Sequence, residues 1–376
     1  MKNKLYILLM FIVCLFLSCK CPQELELGDI ISYKGNSPIV ADSLLLKDCS
    51  ILKFEDNSSS IFVGIDRVLK HGDKYYLLDT RMKQVLLYDT LGNYINSIRN
   101  IGNGVGEYSS LKDIAIDKSN NHLLLLAVPS MILYYTLDGD YIKQTKLKGY
   151  HNSIGVDEKF IYLSQASYVN NKSTNGSVVI IDKTTEENTE KMAPLFETAP
   201  YCYSQGMNIS ATDNLYFTRK FDDNIYLLGG TDLKTLYTIN WNELSFPPEK
   251  KEQTLDCSEL NNLCSKNKYV YSITDIQDTD STMCFRTNLG GLFVLSKSKK
   301  EVKWFPLIEN DALDVPLPSY LPIGGTDGEV LFVFPAHYLM MLKKTMRNKA
   351  NSSQIERIMG TMNEESNPIL LKYTLK

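Results

Sequence analysis

DRVLKHGDKYYLLDTRMKQVLLYDTLGNYI, residues 66–95, and DIAIDKSNNHLLLLAVPSMILYYTLDGDYI, residues 113–142, are one pattern written twice. A shift of 47 residues lays one on the other without a gap. Asp66 falls on Asp113, Leu77-Leu78 on Leu124-Leu125, Val85-Leu86 on Ile132-Leu133, Tyr88 on Tyr135, Gly92 on Gly139, and Tyr94-Ile95 on Tyr141-Ile142. Each copy reads as short runs of strand-forming residues broken by Asp, Asn and Gly. A first strand starts near the Asp, a second is YYLLD or HLLLLA, and a third is VLLYD or ILYYT. A glycine turn then leads to a fourth, YINSI or YIKQT. Four strands per repeat at this period, with no helix, is the signature of a propeller blade.

Fainter copies of the second and third strands extend the pattern. They are FIYLSQ (160–165) with SVVIID (177–182), LYFTR (215–219) with NIYLL (224–228), MCFR (283–286) with GLFVLS (291–296), and EVLFVF (329–334) with PILLKYTL (368–375). The expectation is an all-β, six-bladed β-propeller over residues 46–376. Because the chain ends on a third strand, the last blade lacks its outer strand, and Ser50–Glu55 is placed to supply it. Closing the ring in this way removes a sheet edge, the standing hazard of open β-structure. Amphipathic helical spacing is scarce before residue 336. Leu339, Leu342 and Met346, then Ile355, Ile358 and Met359, predict a helical insertion in the last blade over about 337–362.

The N-terminus fixes location. Lys2 and Lys4 precede the apolar run Leu5–Leu17, and Ser18-Cys19 follows. This is the form of a signal peptide (1–18), with a run too short to span a bilayer. A signal that ends at cysteine reads as a bacterial lipoprotein signal, with Cys19 as the lipidated first residue and 19–45 as a tether. Lys20 is not the aspartate that retains such proteins in the inner membrane of enteric bacteria, so the expected address is the outer membrane. Loss of Lys2 and Lys4, with no acid, takes the net charge from −4 to −6 and argues against a nucleic-acid partner. Of eight cysteines, six remain after Cys14 leaves and Cys19 is acylated. Export permits disulfides among them. Cys257 with Cys264, close in one short loop, is the simplest pair, and buried free thiols are the alternative.

Three stretches resemble the six-bladed propeller lipoproteins of Bacteroides-type bacteria, a family whose molecular role is largely unassigned. Gly102-Asn-Gly-Val-Gly-Glu-Tyr108 is similar to its glycine-rich turn into the second blade, with Val105 where the family has proline. The blade text 75–98 is the second. The helical segment followed by Asn363-Glu-Glu-Ser-Asn-Pro-Ile-Leu370 is the third, with Ser366 where the family tends to have an acid. The resemblance implies architecture and location, and no catalytic residue.

Gly102, Gly104 and Gly106 lack the Lys-Ser/Thr of a phosphate loop and read as an inter-blade turn in which glycine supplies positive φ. Glu107 and Tyr108, on that loop near the axis, are ligand candidates. Asp66 and Asp113 repeat at one blade position, which predicts one structural job done twice. At the ends of the second strands stand Arg81, Gln165, Arg219, Arg286 and His337. Arginines around one mouth attract carboxylate or sulfate, since guanidinium binds such groups in a fork. The competing role is pairing with Asp79, Asp222 or Asp223 nearby in sequence. Four histidines without motif neighbours and no Cys-x-x-Cys give no sign of zinc. The expectation is a binding propeller for a glycan, peptide or protein partner, with no cofactor and no assigned catalytic residue. The rival expectation is a calcium-assisted hydrolase or lactonase using Glu107 and axial acids.

Overall fold

A computed structural model describes residues 27–165, 168–169, 172–173, 178–191, 206–251, 253, 255–310, 315–316, 329–345 and 360–375. It is mostly β, built from small antiparallel sheets of consecutive strands. Strand β1 (Asp29–Asn36) and β2 (Leu46–Lys53) precede the first sheet. That sheet is β3 (Arg67–His71), β4 (Lys74–Asp79), β5 (Gln84–Asp89) and β6 (Tyr94–Ile98). The second is β7 (Ser110–Asp117), β8 (His122–Val128), β9 (Met131–Thr136) and β10 (Tyr141–Lys146). The third is β11 (His151–Val156), β12 (Phe160–Gln165), β13 (Val178–Asp182) and β14 (Asn188–Lys191). The fourth is β15 (Ile209–Ala211), β16 (Leu215–Phe217), β17 (Asn224–Gly229) and β18 (Asp232–Asn240). The fifth is β19 (Ile273–Asp278), β20 (Thr282–Thr287), β21 (Leu292–Ser296) and β22 (Glu301–Phe305). In the last sheet β24 (Ile369–Leu375) lies between β23 (Glu329–Phe334) and β2 and pairs with both.

The apolar runs form strands buried on both faces, because each sheet packs between two others and alternate side chains serve alternate seams. Tyr76 and Leu78 of β4 face the second sheet, packing with Leu123, Leu125 and Tyr135. Their neighbours Tyr75 and Leu77 face the last sheet, packing with Phe332 and Leu370. Leu124, Leu126 and Ile132 in turn meet Ile161, Leu163 and Ile181 of the third sheet. Such a succession of sheets, each packed face to face with the next, is propeller-like.

Closure follows the expected route. Strand β2, beginning a few residues before the predicted Ser50–Glu55, runs antiparallel to β24, with Leu52 opposite Leu370 and Ser50 opposite Lys372. A buried latch holds the junction: Asp42 Oδ2 accepts hydrogen bonds from Asn310 Nδ2 at 2.8 Å and from the Tyr373 hydroxyl at 2.7 Å.

Four expectations change. Residues 29–36, inside the expected tether, form β1, which pairs parallel with both β18 and β22 and joins the fourth and fifth sheets into one nine-stranded sheet. Its buried Ile31 and Tyr33 point inward with strand alternation. A helix absent from the sequence reading, α1 (Cys257–Asn267), lies between the fourth and fifth sheets. It carries Cys257 and Cys264, which are not joined in a disulfide. Seven residues of helix separate them by about 10 Å along the axis, too far for a disulfide. Of the three turn glycines, only Gly106 has positive φ, at 78°. Helix α2 (Ala336–Thr345) follows β23. The remainder of the expected insertion to Met359, like Cys19, Cys21 and Cys202, lies outside the described residues.

Candidate functional site

Strands β3, β7, β11, β15 and β19 are the first of the five four-stranded sheets, and their edges away from the second strands would expose unpaired amides. Polar side chains stitch them to one another instead. Arg67 Nη1 donates to both oxygens of Asp113 at 2.7 Å. Asp113 Oδ2 accepts from the Ile154 amide at 2.8 Å, Ser153 Oγ from the Asn208 amide at 3.2 Å, and Ser210 Oγ from the Ile276 amide at 2.9 Å. The result is a polar belt running from strand to strand across the five sheets. Burial pushes the Asp113 carboxyl up, against the pull of Arg67 and of the Ile154 and Ile114 amides. Asp66, its repeat partner, does different work: Oδ2 accepts from the Thr80 amide and hydroxyl, at 2.8 and 2.6 Å, tying down the end of its own sheet.

The predicted ring of arginines resolves into distinct cases. Arg219, buried, binds Asp222, with Nε 2.6 Å from Oδ2. This is the expected local pairing, and Asp222 also accepts from Tyr226 and Asn224. Arg81 is exposed and forms no ion pair among the described residues; Asp79 is occupied instead by the amides of Val63 and Met82, at 2.7 and 2.9 Å. Gln165 is half-buried at the end of β12, and His337 is exposed in the first turn of α2. Arg286, 8% exposed, sits on β20 with Nη1 3.3 Å from Asp275 Oδ2 and no partner on Nε among the described residues.

Asp275 was not visible as a site residue in the sequence. It lies in a bulge of β19, at φ 54°, between the ladder pairs of Thr274 and Gln277. Bulges re-aim side chains, and here the carboxylate reaches both Arg286 and the Met207 amide, at 3.1 Å. Gly206 makes that approach possible: a Cβ there would stand 2.1 Å from Asp275 Oδ2. Met207 Sδ lies 3.9 Å from Ser153 Oγ, which ties Arg286 into the belt. His151, at the start of β11, is buried with Nε2 2.9 Å from the Lys148 carbonyl, and burial lowers its pKa.

Glu107 folds back on its own loop, and Tyr108 is turned into the fold. Glu107 Oε2 accepts from the Gly104 amide at 2.7 Å, and a Cβ on Gly102 would stand 2.0 Å from that same oxygen. Gly102 and Gly104 therefore make room for the carboxylate rather than supply positive φ. Tyr108 is fully buried and donates to the Lys83 and Ile98 carbonyls, so it has no place at the mouth. Among the described residues no group of three His, Cys, Asp or Glu side chains converges as a metal site.

Sheets packed seam to seam around stitched innermost strands define a propeller-like β protein. Residues 29–374 match the family described as a domain of unknown function, DUF4934, and the chain belongs to that family. The fold is similar to that of a Bacteroides fragilis protein assigned as exported, at TM-score 0.75 and 18% identity over 92% of this chain and 99% of that one. It is also similar to a member of the DUF4221 family from Bacteroides vulgatus, at TM-score 0.51 and 11% identity over 88% and 98% of the two chains. No curated protein matches the sequence.

Proposed function

We propose that the protein is an outer-membrane lipoprotein, acylated on Cys19, whose six-bladed propeller binds a glycan, peptide or protein through an anionic group. The six blades are the five four-stranded sheets and the last sheet completed by β2, with the segment after β23 as a helical insertion. The likeness to a Bacteroides fragilis protein assigned as exported and the Lys2-Lys4, Leu5–Leu17, Cys19 pattern support the address. One observation carries the binding reading: Arg286 is buried at the strand end that opens toward the β20–β21 turn, with Asp275 on one nitrogen and nothing on Nε. A desolvated guanidinium with an unused donor favours an incoming carboxylate or sulfate, because charge-assisted bonds gain strength where water is excluded.

The test compares wild type, Cys19→Ala and Arg286→Ala in the native host. Wild type should stay in the membrane fraction and release a defined bound molecule after mild extraction. Cys19→Ala should leave the membrane or remain unprocessed, since nothing else in the reading anchors the chain. Arg286→Ala should stay membrane-bound and lose the molecule. Membrane retention with lipid labelling in Cys19→Ala would overturn the anchor, and an undiminished bound molecule in Arg286→Ala would overturn the site.

A further inference from the structure

Strand β1 lies on the rim of the fold. It runs beyond β18 and β22, the last strands of the fourth and fifth sheets, and its inward residues Ile31 and Tyr33 join the core between those sheets. Strand alternation turns Ile30 and Lys34 to the outside, where Ile30 is 65% exposed and Lys34 is exposed as well. Leu27, just before the strand, is 49% exposed. Lys303 follows the core residue Val302 on β22 and is exposed on the same side, and Lys299 stands exposed in the β21–β22 turn.

Exposed aliphatic side chains beside free ammonium groups suit a bilayer surface, where apolar area enters the headgroup boundary and lysines meet anionic headgroups. Lys34, Lys299 and Lys303 form no ion pair among the described residues. Of the acids nearby, Asp29 Oδ1 lies 2.7 Å from Lys300 Nζ, Glu301 is half-buried, and Asp232 stands two residues from Lys234 on β18. The path of the chain leads to the same place. The Gly28 amide is fixed to the rim, donating to the Thr235 and Leu236 carbonyls at 3.0 and 3.1 Å. Cys19 stands nine residues earlier. A fully extended chain covers at most about 3.6 Å per residue, so a lipid on Cys19 lies within about 32 Å of Gly28.

We propose that the outward side of β1, with Leu27, Ile30, Lys34, Lys299 and Lys303, lies against the bilayer that holds the lipid. This depends on the acylation of Cys19 proposed above. Arg286 stands on β20, two strands inward from β22, so the docked rim leaves that strand end open to water. The anionic ligand of Arg286 then arrives from the aqueous phase rather than from the supporting leaflet.

Lysine acetylation read by mass spectrometry tests this on the full chain, purified from native membranes and reconstituted in vesicles of phosphatidylethanolamine and phosphatidylglycerol. Lys118 and Lys159, exposed in the β7–β8 and β11–β12 turns, are the reference sites. The protein should float with the vesicles. Lys34, Lys299 and Lys303 should react at least about fivefold more slowly than in Ile30→Asp, as expected of a rim free only about a fifth of the time. Lys118 and Lys159 should react alike in both proteins. Ile30→Asp should still float, since its lipid is intact, and should keep the wild-type melting temperature, since Ile30 is exposed. Failure of wild type to float would overturn the acylation and this proposal together. Flotation with the rim lysines reacting alike in both proteins, or with protection centred on Lys118 and Lys159, would overturn the rim alone.

Discussion

At the scale of single residues, residue type was legible and partner was not. Asp66 and Asp113 stand in register in the repeat, yet one closes a turn and the other receives an arginine and a neighbouring sheet's amide. The repeat encodes position within a sheet, and the neighbouring seam decides what each carboxylate meets. The same holds for Glu107, where the glycines looked like a source of positive φ but mainly leave space for its carboxylate. His151 gives a prediction with a definite sign. Burial lowers its pKa below the ordinary 6.5, so the unfolded chain binds a proton before the folded one does. Stability from this group is present above pH 6.5 and is lost as pH falls from there toward the folded pKa. The urea midpoint of wild type should therefore drop between pH 7.5 and 5.5, and that drop should shrink in His151→Gln. An equal drop in both proteins would show that the imidazole does not titrate with folding.

Elements were legible where the pattern was long and periodic. The strands of the first two sheets stand where the 47-residue shift placed them, because two-faced burial demands unbroken Leu, Val and Tyr runs. Strand β1 escaped notice because only Ile31 and Tyr33 face inward, too few to show alternation, and its partners lie about two hundred residues or more downstream. Helix α1 did carry a local signal. Asp256 accepts from the Glu259 amide at 2.8 Å while Glu259 accepts from the Asp256 amide at 3.0 Å, a capping box written as Asp-x-x-Glu. Its apolar stripe is thin, with only Leu260 and Cys264 buried, so helical spacing did not announce it. Asp256→Ala should cost about 1 kcal/mol of unfolding free energy. Denaturant titration would register this, and no change would mean that packing of Leu260 holds the helix without its cap.

For the whole molecule, the account rests on closure by the N-terminal strand. Strand β2 completes the last sheet, the Asp42 latch fixes it, and β1 then fastens the outer edges of the fourth and fifth sheets, so the segment 29–53 is built into the fold twice. The missing outer strand of the last repeat made this closure readable from sequence alone. The arrangement of Arg286 with Asp275 was not readable, because it depends on a bulge and on Gly206 in the segment before β15. A cysteine pair tests closure most directly. Ser50 lies opposite Lys372 across the β2–β24 ladder, so Ser50→Cys/Lys372→Cys, in a Cys49→Ser background, should form an intramolecular disulfide on mild oxidation. The oxidised protein should unfold at higher urea than its reduced form, because the link ties the ends of the ring in the unfolded chain. Failure to crosslink, or crosslinking only between molecules, would contradict a ring closed by its own N-terminal strand.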